Sequence, residues 1–288
     1  MPKIIYVTPD DRLQAVFDRA EPGSTLIFAP GIYRQKAVIA TPGLTLVGSG
    51  MDKTVFVWND YARKADDDGF QLITFRTYTL AVVADGVTIQ NLAVVNDALS
   101  PEIKGQEVAL SVVADNFRME ECRLSSTQDT LFAGPLPDDL IERYTGFLMD
   151  SLRRGGNMKQ AFVNCLIEGT VDFIFGCGST LFDGCELRSL NDARNTGFVA
   201  APAHGADQTE GYVFRNCRFT CEAGVADGSI YLARPWRDAG LCSFESCTYG
   251  PHISPLGFDK WQGTQRDKTA RFFETPEVQG RVAWVNRK

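Results

Sequence analysis

The stretch Gly169-Thr170-Val171-Asp172-Phe173-Ile174-Phe175-Gly176 carries a single carboxylate among apolar and β-branched residues, with a glycine at each end. Those residue types favour a mostly buried strand. An ionised carboxylate is costly there unless a cation or hydrogen-bond donors meet it. Asp172 is therefore either a structural residue capping a turn or one member of a reactive set. The chain offers other members: Gln106, the pair Gln128-Asp129, and Arg234 in Tyr231-Leu232-Ala233-Arg234-Pro235-Trp236. Two carboxylates, two amides and a guanidinium suit acid–base or nucleophilic work at a polarised carbonyl. Other chemistries lack their parts. No serine lies in a G-x-S-x-G elbow and no H-E-x-x-H occurs. The two histidines, His204 and His252, read as loop residues.

A repeat is what must position these groups. Asn91-Leu92, Glu121-Cys122, Asn164-Cys165, Gly184-Cys185, Asn216-Cys217 and Ser246-Cys247 recur with apolar neighbours, at steps of 30, 43, 20, 32 and 30 residues. Self-similarity at such periods marks a solenoid. Short strands between tight turns, as in Pro42-Gly43-Leu44-Thr45-Leu46-Val47-Gly48, make it an all-β parallel β-helix. Equivalent positions on successive turns then stack about 4.8 Å apart. Asp129 and Asp172 are 43 residues apart, the same step as Cys122 to Cys165, so they should project side by side. Gln106 lies 22 residues before Gln128, about one short rung earlier, and Arg234 follows on the same face. Each group still has a plainer reading. The glutamines fit an amide ladder, Arg234–Asp172 a structural pair, and Trp236 a core aromatic.

The five cysteines of the repeat are predicted to form a reduced, buried ladder; Cys177, Cys221 and Cys242 lie outside it and are free to pair. Asp10 and Asp11 precede an apolar face, Leu13, Val16 and Phe17, which reads as a capped helix covering the N-terminal end of the solenoid. The last segment, from Arg271-Phe272-Phe273 to Val285, is expected to pack back along the outside. Residues 133–160 read as a loop insertion, either solvated or beside a binding groove. The whole chain, 1–288, reads as one domain.

Composition narrows the function. The 288 residues are 44% hydrophobic and 23% charged, with net charge −7 and a pI near 5.0. An acidic chain without a long Lys/Arg run is a poor nucleic-acid binder. No apolar run approaches the ~20 residues of a membrane span. The start, Met1-Pro2-Lys3-Ile4-Ile5-Tyr6-Val7, lacks the apolar region of a secretory signal. The expectation is a cytoplasmic protein, or a secreted one whose signal has been removed.

Gln106-Glu107-Val108-Ala109-Leu110, Gln128-Asp129-Thr130-Leu131, the Gly169–Gly176 octapeptide and Leu232-Ala233-Arg234-Pro235-Trp236 closely resemble, in order and spacing, the four signatures of the pectin methylesterase (pectinesterase) family. The resemblance runs from Pro30-Gly31-Ile32-Tyr33 to Pro251-His252-Ile253-Ser254-Pro255. It implies a single-stranded right-handed parallel β-helix that hydrolyses galacturonate methyl esters to carboxylate and methanol. Position by position, it implies Asp172 as nucleophile, Asp129 as general acid and then base, and Gln106 and Gln128 as oxyanion donors. Arg234 would orient Asp172. Trp236 would pack on the sugar, and Thr74 and Val171 would touch substrate. The implied substrate is methyl-esterified homogalacturonan or its oligomers, handled by a monomer without metal or other cofactor. A neighbouring Arg⁺ typically lowers an aspartate pKa by about 1–3 units, and a neighbouring anion raises one. This predicts an ionised Asp172 beside a protonated Asp129.

The sequence departs from the family pattern at three places. Ala233 stands for a glycine, Cys177-Gly178 for Asn-Ala, and Phe258 for a tryptophan. The 133–160 insertion is also long, and could narrow the groove in favour of short substrates. The alternatives are a pectin or pectate lyase or polygalacturonase on the same fold, or a non-catalytic carbohydrate-binding β-helix. A lyase calls for a calcium cage or basic residues, and no Asp/Glu cluster builds such a cage.

Overall fold

The computed structural model describes residues 2–98 and 105–286. Short strands wind into three parallel sheets. Ten strands form the first sheet, seven the second and eight the third. Neighbours within each sheet come from successive turns of the chain, which is the strand order of a parallel β-helix.

A conformational device at one corner explains the repeat. Asn91, Glu121, Asn164, Asn216 and Ser246 all have φ between 51 and 55°, and Gly184 has φ 65°. Left-handed backbone favours glycine and tolerates asparagine, whose short polar side chain bonds locally. Each such residue turns the chain from the first sheet into the eight-stranded sheet and delivers the next side chain inward. Leu92, Cys122, Cys165, Cys185 and Cys217 are buried there. Each thiol donates to a carbonyl of the preceding turn, Cys185 Sγ to Phe162 O at 3.3 Å and Cys217 Sγ to Phe182 O at 3.3 Å. All eight cysteines are free thiols, as the ladder reading expects. Beside them Phe162, Phe182, Phe214 and Phe244 stack ring on ring, with centroids 4.7–5.2 Å apart.

The ends differ in part from the sequence reading. Helix α1 (Leu13–Arg19) does cover the N-terminal end with Leu13, Val16 and Phe17. Its start is not capped by Asp10 or Asp11. Gln35 Oε1 accepts from Leu13 N at 2.9 Å, while Asp11 accepts from Thr8 N and Oγ1. At the other end, Arg271–Thr275 does not run back along the outside. It adds a final parallel strand beside Leu241–Glu245. Phe258, Phe272 and Trp284 then close the core over it. The phenylalanine at 258 therefore belongs to the end cap. Ala233 pairs with it across a bridge and is fully buried in the core, so its methyl group faces inward.

The insertion is structured. It contains helix α2 (Asp138–Arg143) and a 3₁₀ turn, Asp150–Arg153, while Ala133 and Lys159 already belong to flanking strands. Leu136, Leu140, Leu148 and Leu152 are buried against Ala81, Val83, Val113, Phe132 and Phe175, forming a second core on the outer face of the seven-stranded sheet. Cys177 Sγ donates to Pro135 O at 3.0 Å, anchoring the start of the insertion.

Candidate active site

The two aspartates sit at the N-terminal end of adjacent strands of the seven-stranded sheet. Leu131 pairs with Ile174, so Asp129 and Asp172 share one phase on neighbouring rungs. Asp129 N donates to Val171 O at 3.1 Å. Both carboxylates hang from left-handed backbone, φ 67° at Asp129 and 50° at Asp172. Asp172 also lies where the register with the next strand slips, between Val171 and Ile174. The bulge takes the residue out of regular alternation and aims its carboxylate at the outer face, while Phe173 and Ile174 stay in the core. The flanking glycines are needed for close approach. A Cβ on Gly169 would lie 2.3 Å from Phe173 Cβ, and one on Gly176 2.2 Å from Ala133 O.

Arg234 reaches Asp172 from two rungs away. Nε donates to Oδ1 at 2.8 Å and Nη2 to Oδ2 at 2.6 Å, a two-bond fork. Its guanidinium carbon lies 3.8 Å from the Phe198 ring centre and 4.0 Å from that of Trp261. The cation is thus held between two aromatic faces, where cation–π attraction adds to the ion pair. Trp236 packs edge-on to Phe175 at 5.8 Å, with the Arg237 guanidinium 4.7 Å from its ring. Arg237 in turn pairs with Asp139 of α2 at 2.9 Å.

Burial dominates the electrostatics. Asp129 and Asp172 are 8% and 6% exposed. Burial, reinforced by the Asp172 charge, pushes the Asp129 pKa well above the ordinary carboxylate range. Burial also raises Asp172, against the opposing hydrogen bonds and charge of Arg234. The expectation that Arg234 would pull Asp172 below its usual value is therefore corrected, because desolvation outweighs the cation. Both shifts favour the protonated form, and the Asp172 charge adds to the effect of burial on Asp129.

The other expected residues lie on the same or neighbouring turns of the chain. The Gln128 side chain lies beside the Asp129 carboxyl and opposes the rise in its pKa. Val171 is buried within the strand that carries Asp172. Gln106 belongs to the preceding rung, and Glu107 N donates to Gln128 O at 2.9 Å. Leu110 pairs with Leu131, which puts Gln106 one residue short of the phase of Gln128. Thr74 opens a 3₁₀ turn whose Phe75 packs at 5.2 Å on Phe132, in the strand that follows Asp129. His204 is a buried structural residue. Its Nε2 lies 3.1 Å from Gly178 O and its Nδ1 accepts from Leu241 N, and burial lowers its pKa to about 4. Among the described residues no three His, Cys, Asp or Glu side chains group to hold a metal ion. Sequence reasoning missed Phe198, Trp261 and Arg194. Trp261 had one signal, a large aromatic in a polar loop, and it adopts φ 69°.

The parallel β-helix thus carries two buried carboxylates on adjacent rungs, an arginine forked to one of them and a glutamine beside the other, a set that suits a carboxylic ester hydrolase. The family model described as Pectinesterase matches residues 6–135 and 149–287. Pectinesterase QRT1 of Arabidopsis thaliana is 30% identical over 97% of this chain and 67% of its own length. The fold matches pectin methylesterase from carrot with a TM-score of 0.82 at 22% identity, covering 99% of this chain and 88% of that one. It also matches a pectin methylesterase in complex with a hexasaccharide, with a TM-score of 0.78 at 24% identity over 95% and 87% of the two chains. The chain belongs to the pectinesterase family, and its activity is that of a pectin methylesterase. Residues 136–148, the heart of the insertion, fall outside the family match.

Proposed function

We propose that this chain, one catalytic domain over residues 1–288, de-esterifies methylated homogalacturonan or its oligomers through Asp172. The carboxylate of Asp172 attacks the ester carbonyl carbon. The amide N–H groups of Gln106 and Gln128 hold the tetrahedral oxyanion. Asp129 gives its proton to the departing methoxide, which leaves as methanol. The resulting acyl-enzyme is an anhydride. Asp129, now a carboxylate, takes a proton from water, whose oxygen attacks the acyl carbon. This frees the galacturonate carboxylate and restores both aspartates. Arg234 holds Asp172 in line, and Trp236, Thr74 and Val171 are the proposed sugar contacts.

The observation that carries this reading is the fork from Arg234 to a buried Asp172, one rung from an Asp129 whose carboxyl burial and charge bias toward the protonated form. The test is methanol release from methylated pectin, read beside absorbance of unsaturated uronates, for wild type and Asp172→Ala. A nucleophile loss of about 10⁴-fold or more in kcat is expected, in keeping with removal of other catalytic nucleophiles. Unsaturated product without methanol would overturn the assignment of both aspartates.

A further inference from the structure

Arg194 lies in the loop between Glu186–Ser189 and Gly197–Pro202 and has no part in the mechanism above. Its Nη1 donates to Gln128 Oε1 at 2.9 Å and its Nη2 to Thr170 Oγ1 at 2.9 Å. The arginine is itself held. Asp192 Oδ2 accepts from its Nε at 2.7 Å, and Asp192 Oδ1 accepts from its backbone N at 2.8 Å. The Asp192 side chain is only 8% exposed.

The chemistry of the partners settles which way the glutamine points. A guanidinium only donates, so the atom of Gln128 that faces Arg194 must be the carbonyl oxygen. The NH₂ group is then left facing away from Arg194, and the Gln128 side chain acts on the neighbouring Asp129 carboxyl. A free glutamine amide is flipped with ease, and a flipped Gln128 would present an oxygen lone pair where an oxyanion must be stabilised. Thr170 is buried two residues before Asp172, so the same guanidinium ties the rung of Gln128 to the rung of Asp172.

We propose that Arg194 is a positioning residue that locks the Gln128 amide in its donor orientation and fixes the spacing between oxyanion donor and nucleophile. This rests on Gln128 being an oxyanion donor.

Removing one such donor costs about 10²–10³ in kcat, so Arg194→Met, which keeps the bulk and loses every donor, should lower kcat by roughly tenfold to a hundredfold. KM on methylated oligogalacturonate should stay within about twofold, because an orienting contact acts on the transition state. In a Gln128→Ala background the same substitution should change kcat by less than about threefold, since the amide it orients is gone. Asp192→Asn, which loosens the guanidinium without removing it, should give a smaller loss of the same kind and stands in if Arg194→Met does not fold. Equal loss of kcat in both backgrounds, or a raised KM at unchanged kcat, would overturn the proposal. Gln128→Ala at wild-type kcat would instead overturn the oxyanion role on which it rests.

Discussion

At Asp129 function and stability pull in opposite directions. Its folded-state pKa lies above its unfolded value because burial and Asp172 disfavour the charged form. The stability contributed by its protonated form is fully present below the unfolded pKa and is lost as pH rises through the folded one. Asparagine fills the same space without charge. Asp129→Asn is therefore expected to lose activity yet melt at a higher temperature than wild type at pH 8, with the difference closing toward pH 4. A lower midpoint at pH 8 would contradict the burial-driven shift. Arg234 gives the companion prediction. Its fork and charge hold the Asp172 pKa down against burial. Arg234→Lys keeps a cation but breaks the fork, so the Asp172 pKa should rise and the acid limb of kcat/KM should move to higher pH. An unmoved acid limb would mean that another group sets it. The aspartate phase was legible before the fold because a solenoid converts sequence interval into position. The guanidinium grip was not, because Phe198, Trp261 and Arg194 meet the site from loops and outer-face positions that no period specifies.

At the scale of elements, the insertion is the feature that departs most from the family pattern. Its leucines are buried on the sheet's outer face, and Tyr144 packs 5.7 Å from Phe75 beside Phe132 and Phe175. Those phenylalanines are 2–6% exposed, so aromatic surface next to Trp236 is closed over by residues 136–148. Arg237 bolts the Trp236 side to α2 through Asp139. A sugar chain that follows that face meets the insertion in proportion to its length. Replacing residues 136–148 by a short glycine linker is expected to raise the rate on polymer relative to short oligomers, severalfold or more. Methanol release from short oligomers should continue. An unchanged polymer-to-oligomer ratio would show that the insertion has no part in chain-length preference. The sequence announced the insertion by its 43-residue step. It did not announce the fold of the insertion: Leu136, Leu140, Leu148 and Leu152 recur at helical steps of 4, 8 and 4, but Pro135, Pro137, Gly155 and Gly156 around them read as a loop.

At the scale of the molecule, the core is a set of ladders, cysteine on cysteine and phenylalanine on phenylalanine, closed by α1 at one end and Trp284 at the other. No disulfide contributes. The thermal midpoint should therefore be the same with and without a thiol reductant. In the native state Cys221 and Cys247, the two partly exposed thiols, should react first with a thiol reagent, and all eight should react on unfolding. A reductant-sensitive midpoint would require a bridge that this structure lacks. The overall architecture was the most legible level of all, since the recurring pair at each corner records both the left-handed turn and the inward residue after it. The C-terminal cap was misread because a final strand and a strand packed outside have the same composition; only pairing with Leu241–Glu245 separates them. The stacked arrangement also limits how such a chain can evolve. Asp129, Asp172, Phe198 and Arg234 stand on four consecutive rungs of one sheet, Asp172 and Phe198 within strands, Asp129 just before one and Arg234 just after one. Gaining or losing a whole turn between Asp172 and Arg234 would displace one from the other by about 4.8 Å, one strand spacing, and sever the fork; a turn added between the aspartates would part them by the same spacing. Descendants of this gene can lengthen or shorten at the two ends and at the corners, but the number of turns through the middle is inherited as a constant.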